Sequence, residues 1–141
     1  MADFQIKQSR WQDNEEALRM IRKTVFMQEQ KVPEELEWDG LDNDAIHLLA
    51  RDNSGKPIAT ARMLADGHIG RVAVLPAWRG HGIGSALMQR LIQIGNKREL
   101  SEIHLDAQVE AIPFYQRLGF SPHGEVFMDA GIPHRHMHRH L

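Results

Sequence analysis

Apolar and polar positions alternate along Phe4-Gln5-Ile6-Lys7, the two-residue period of a short strand. The period then lengthens. Leu18, Ile21 and Val25 recur three and four apart, which predicts a helix capped by Asp13 or Asn14 and fading near Phe26. Val32-Pro33 forces an extended or turn conformation, and the acidic stretch from Glu34 to Asp44, with Gly40 inside it, reads as a surface loop or short helix. Ile46 to Arg51 and Pro57 to Leu64 flank the turn Asp52-Asn53-Ser54-Gly55 and form a hairpin. Asp66-Gly67 turns the chain again, so His68 to Val74 runs back as the next strand.

Beyond Leu75-Pro76 the apolar positions Ile83, Ala86, Leu87, Leu91 and Ile94 lie on one face of a long helix, closing near Gly95-Asn96. Glu102 to Ala107 alternates once more. Pro113 suits the first turn of a short helix running to about Leu118, with Gly119 ending it. Strands around Glu125 to Phe127 and His134 to His140 complete the chain. With no internal repeat and no linker, the expectation is one mixed α/β domain over residues 1–141.

Composition narrows the function more than the fold. Hydrophobic residues make up 42% and charged residues 26% of the 141 positions, an ordinary balance for a chain that buries a core. The formal charge is -2, far from the basic surplus that drives binding to nucleic acid or an anionic membrane. No apolar run approaches the ~20 residues that cross a bilayer, and Met1-Ala2-Asp3-Phe4 lacks a signal-peptide pattern, so cytoplasmic residence is expected. The chain has no cysteine, which removes disulfides and any catalytic thiol. Small-molecule chemistry is left.

Arg79-Gly80-His81-Gly82-Ile83-Gly84 joins a strand to the long helix. Glycines allow the main chain to approach a ligand, and the first amides of a helix are unpaired and carry its positive dipole end, so a phosphate suits the place. A Walker loop is excluded because no lysine follows, and the dinucleotide pattern fails because the glycines fall at 80, 82 and 84. On the glycines alone, a helix start that merely tolerates them is equally good.

The run Val72-Ala73-Val74-Leu75-Pro76-Ala77-Trp78-Arg79-Gly80-His81-Gly82-Ile83-Gly84-Ser85 resembles the coenzyme A motif of GNAT acetyltransferases, R/Q-x-x-G-x-G/A behind an apolar strand. Ala111-Ile112-Pro113-Phe114-Tyr115-Gln116-Arg117-Leu118-Gly119-Phe120 resembles the family's second motif. The arm from Arg22 to Pro33, with Glu37, Asp39, Asp42, His47 and Asp129 to Met137, is similar to a short single-domain bacterial subgroup. The resemblance implies a central mixed, mostly antiparallel sheet of six to seven strands with about four helices. It implies acetyl-CoA as cosubstrate, with the main chain of Val72, Ala73 and Val74 along the pantetheine. Arg79, Gly80, His81, Gly82, Ile83, Gly84 and Ser85 would lie around the pyrophosphate. Gln108 stands where many relatives carry an asparagine that bonds the pantetheine, and a homodimer is common in the family.

Tyr115, the chain's single tyrosine, would be the general acid, since a leaving thiolate needs a proton that a phenol can supply. Packing alone is the competing account of an aromatic on a helix. The base is open. Many relatives use a glutamate on the strand before the loop, and the matching position is read as Gly70, leaving Glu29, Glu37, Asp39, His134 or a water relay. Acidic groups near the pocket would favour a cationic small-molecule or peptide amine. Without cysteine, direct attack in a ternary complex is expected rather than an acyl-enzyme. The alternative is an acyl-CoA-binding regulatory module that no longer transfers. His134, His136, His138 and His140 share one strand face, but no metal is assigned to them, because no neighbouring carboxylate completes a site in the sequence.

Overall fold

A computed structural model describes residues 3–141. The strands are β1 (Phe4–Ser9), β2 (Ile46–Asp52), β3 (Pro57–Met63), β4 (His68–Val74), β5 (Glu102–Gln108), β6 (Ser121–Asp129) and β7 (Ile132–His140). The helices are α1 (Glu15–Arg22), α2 (Glu34–Glu37), α3 (Ile83–Lys97) and α4 (Ile112–Arg117). All seven strands form one sheet in the order β1-β2-β3-β4-β5-β7-β6. Every neighbouring pair is antiparallel except β4 and β5. No helix among the described residues is long and apolar enough to cross a membrane.

Alternation along the strands puts apolar side chains on both faces. On one, Leu48, Ile58, Ile103, Leu105 and Met137 meet Leu87, Met88 and Leu91 of α3. On the other, Leu49 and Ala73 meet Leu18, Ile21 and Val25, with Trp11 beside them. The second face is covered over β2 to β4. Over β5 and β7 it carries the alternate residues Glu102, His104, Asp106 and Gln108, set opposite His140, His138, His136 and His134.

Several sequence expectations are corrected. The first helix does not fade near Phe26 but continues through Lys23–Glu29 in a wider π-helical turn. Asn14 sits at the cap position without capping; its Nδ2 donates to Ser9 Oγ and its Oδ1 accepts from Arg51. The long helix passes Gly95, which is buried inside it because Leu141 and Ile103 press against that point; an added Cβ would lie 2.9 Å from Leu141 Cδ1. β6 begins at Ser121, earlier than its apolar centre suggests, because it pairs with β7 from His138 inward.

The largest correction concerns the acidic stretch. Glu37 and Asp42 are buried, not solvated. Arg22 donates to both, at 2.7 Å each, and Arg62 reaches Asp42 at 3.1 Å and Asp39 at 2.9 Å through both arms of its fork. His47 Nε2 lies 3.0 Å from the Asp42 carbonyl, and burial pushes its pKa down, favouring the neutral ring. The network ties the segment after α2 to α1 and β3. Replacing Arg22 by Met takes the 2.7 Å partner from two buried carboxylates, leaving Glu37 to Arg71 and Asp42 to Arg62, at a cost of about 3 kcal/mol. Urea denaturation checks this, and a loss under about 1 kcal/mol would mean that water reaches the site.

Candidate active site

Strands β4 and β5 are bonded at only two register pairs, His68 with His104 and Ile69 with Leu105. Beyond them the strands part. β5 follows β7 along its whole length, while β4 stays with β3. The divergence coincides with a bulge: Arg71 and Val72 together face Ala61, and Arg71 adopts φ 53. A left-handed non-glycine residue is strained by roughly 1–3 kcal/mol and persists only when its surroundings hold it. Here they do so through the side chain. Arg71 Nη2 donates to the carbonyls of Leu36 and Glu37, at 3.3 and 3.0 Å, and to Asp39 at 3.2 Å. Its Nε lies 3.3 Å from Glu37 Oε2, out of line for a hydrogen bond. The wedge between the strands is a cavity of about 340 Å³, with Gly70, Arg71, Val72, Asp106, Gln108 and Tyr115 among its walls.

At the end of β4 the chain passes a short turn, Pro76–Trp78, and reaches the glycine loop. Gly80 and Gly82 have φ of 81 and 79, conformations that side chains rarely adopt, and open space surrounds both. Gly82 precedes α3 with no side-chain cap, and the first turn is closed by Ala86 N–H on the Gly82 carbonyl. Among the described residues, the amides of 80–85 therefore have no backbone acceptor, which leaves them and the helix dipole for an anion. Gly84 has a different reason: an added Cβ would come within 3.3 Å of Phe114 on α4. His81 Nδ1 lies 3.1 Å from the carbonyls of Trp78 and Arg79, and Ser85 is half-buried in the first turn of α3.

Tyr115 packs edge-on against Phe114 and Phe120, with ring centroids 5.0 and 6.0 Å away. Burial pushes its pKa up to about 12, so the phenol is fully protonated at neutral pH. It also lines the wedge. Packing and access to the cavity are both true of this side chain.

Residues 11–141 match the family model described as an acetyltransferase (GNAT) domain. The chain belongs to the GNAT acetyltransferase family. It is 37% identical over 131 residues to the Bacillus subtilis (strain 168) N-acetyltransferase YjcF, itself uncharacterized, covering 88% of this chain and 93% of the relative. A crystal structure of an acyl-CoA N-acyltransferase from Pseudomonas aeruginosa superposes with a TM-score of 0.85 at 35% identity, covering 96% of this chain and 99% of that one. Escherichia coli ElaA superposes with a TM-score of 0.85 at 31% identity, with coverage of 96% and 99%.

In this GNAT domain the four side chains considered as bases fall in unlike places. Glu29 forms a fork with Arg79 at 2.7 and 2.6 Å, bridging the π-helical turn to the glycine loop, and is not part of the cavity wall. Arg79 also donates from Nε to the Val74 carbonyl. Glu37 faces the cavity but is 2% exposed and held by Arg22; burial raises its pKa against the pull of Arg71, Arg22 and Arg62. Asp39 is forked to Arg62. His134 lies at the cavity wall, stacked on Phe127, with Nδ1 2.7 Å from the Ile132 carbonyl. Gln108 donates to Gln30 at 2.9 Å across the same cavity.

The acidic surplus invoked for a cationic acceptor is balanced: Glu37, Asp39 and Asp42 each face an arginine. The sequence reading also missed Arg71 as the anchor of the bulge, although a charged residue inside Ile69-Gly70-Arg71-Val72 was a visible signal. Carboxylates do lie by the histidine strand. Asp106 bonds His136 Nδ1, and Glu102 is 3.6 Å from His140. Among the described residues, no three His, Asp or Glu side chains converge as a metal site would require.

The Asp39 pairing fixes an acid limb of stability. Burial alone would raise this carboxyl, but hydrogen bonds from Arg62 and the Leu41 amide outweigh it and hold the pKa at about 2. The contribution is fully present above the unfolded value of about 3.9 and is lost as pH falls towards about 2. Unfolding midpoints measured against pH should fall less steeply across that window in Asp39→Asn than in the parent. Parallel curves would contradict the assignment.

Proposed function

We propose that this protein transfers an acetyl group from acetyl-CoA to a primary amine by direct attack in a ternary complex. One observation carries the reading: the β4 edge freed by the wedge leads from Tyr115 to a helix start whose amides are unpaired. A pyrophosphate on the amides of residues 80 to 85 and a pantetheine along Val72 to Val74 would place the thioester in the wedge. Gln108, now on Gln30, flanks the same channel.

The chemistry asks little of the protein beyond positioning and two proton movements. The amine nitrogen forms a bond to the acetyl carbonyl carbon, the carbon–sulfur bond breaks, and the Tyr115 hydroxyl gives its proton to the departing thiolate. A phenol near 12 is a weak donor to a thiolate that in water resembles a cysteine, near ~8.5. The burial that raises the phenol also destabilises a thiolate in the same cavity, so the mismatch is smaller than those figures suggest. With no cysteine in the chain, no acetyl-cysteine intermediate is available.

Replacing Tyr115 by Phe should lower amine-dependent thiol release from acetyl-CoA by about 10²–10⁴-fold, with acetyl-CoA affinity by calorimetry changed less than twofold. Initial-rate plots at several amine concentrations should intersect, since parallel lines would mean a covalent intermediate. Tight acetyl-CoA binding with no thiol release from any amine would instead favour an acyl-CoA-binding regulatory module.

A further inference from the structure

We infer that His68, backed by Asp106, is the group that takes the proton from the acceptor amine. The inference rests on the acetyl-transfer reading above and supplies the base that Gly70, with no side chain, cannot provide. His68 stands at the point where β4 and β5 part, two residues before Gly70, and forms part of the cavity wall together with Asp106 and Tyr115. Its side chain is 38% exposed, so an amine in the wedge can reach it. The ring stacks on His104 at 5.0 Å between centroids, which fixes its plane. Its Nε2 lies 3.8 Å from Asp106 Oδ2, beyond a hydrogen bond but close enough for the carboxylate to stabilise a charged ring, while Asp106 Oδ1 is held by His136.

The step balances within the groups named. One N–H proton of the acceptor ammonium passes to a ring nitrogen of His68, the freed lone pair attacks the acetyl carbon, and the imidazolium formed is stabilised by the Asp106 carboxylate. As the carbon–sulfur bond breaks Tyr115 protonates the thiolate, and the second proton that the nitrogen sheds in becoming an amide returns to the Tyr115 phenolate. His68 then returns its proton to solvent. The carboxylates are committed elsewhere, Glu29 to Arg79, Glu37 to Arg22 and Asp39 to Arg62, and His134, with Nδ1 on the Ile132 carbonyl, is the competing imidazole of the cavity wall. Four charged or titratable groups act on His68. His104 and Asp106 face it from β5, Asp66 from the preceding turn and Arg62 from β3. His136 on β7 reaches it through Asp106. Burial lowers the His68 pKa most, His104 and Arg62 lower it further, and Asp106 and Asp66 oppose them, so the ring is neutral and ready to accept near neutral pH.

The test is thiol release from acetyl-CoA with a panel of small alkylamines, in the parent, His68→Gln, His68→Ala and Asp106→Asn, with acetyl-CoA affinity measured alongside. In the parent, kcat/KM should rise through the imidazole range and then level off. In His68→Gln the rate at neutral pH should fall about 10²–10⁴-fold. It should then climb steadily towards the amine's own pKa near ~10, because only free amine can attack. Millimolar imidazole should restore rate to His68→Ala. Removing the Asp106 carboxylate should move the parent's acid limb to lower pH, since that charge raises the His68 pKa. A His68→Gln enzyme within about threefold of the parent and with the same plateau would overturn the inference, as would transfer of the limb's loss to His134→Gln. If the parent binds acetyl-CoA but releases no thiol with any amine, the transferase reading has failed, and this inference with it.

Discussion

Two register pairs are all that join β4 to β5, and the rest of the molecule is arranged around that short seam. A parallel pair bonded along its full length would close the sheet and leave no cavity. Parting after Ile69 and Leu105 gives β4 a free edge, opens the wedge and lets Tyr115 face it. The bulge at Arg71 and Val72 turns β4 away from its partner, and an arginine in a strained conformation holds the bulge. The strain is local; what holds it comes from the end of α2 and the segment after it.

That segment is fixed by charge. Arg22 of α1, Arg62 of β3 and Arg71 of β4 meet Glu37, Asp39 and Asp42 from the end of α2 and the segment after it. Buried ion pairs cost desolvation that their attraction roughly repays, so the network adds little net stability compared with an apolar layer. Its effect is positional: each guanidinium fork accepts one arrangement of carboxylates, and the arrangement sets where the bulge and the acceptor side of the wedge lie. Because the charges balance, the network shapes the site without giving it a strong sign.

Legibility from sequence followed the range of the interaction. The glycine loop and the helix behind it were readable because both rest on neighbours three to five residues apart, and the short helix that carries Tyr115 was readable from Pro113 and Gly119. Glu37 and Asp42 read as solvated because their partner Arg22 is 15 and 20 residues away, and no local pattern announces a buried pair. His68 was overlooked for a related reason. Its surroundings come from β5 and, through Asp106, from β7, strands that only the folded sheet brings beside β4. Gly95 misled in the other direction: glycine often ends a helix, but here it makes room for Leu141.

The central claim is that the parted strand edge and the bare helix start together form the acetyl-CoA site. Amide hydrogen exchange with and without acetyl-CoA tests it residue by residue. The account predicts slowed exchange at residues 80 to 85 and along 70 to 74, with β1 and β2 unchanged. Protection confined to another surface, or none at an acetyl-CoA concentration that saturates the protein, would contradict it.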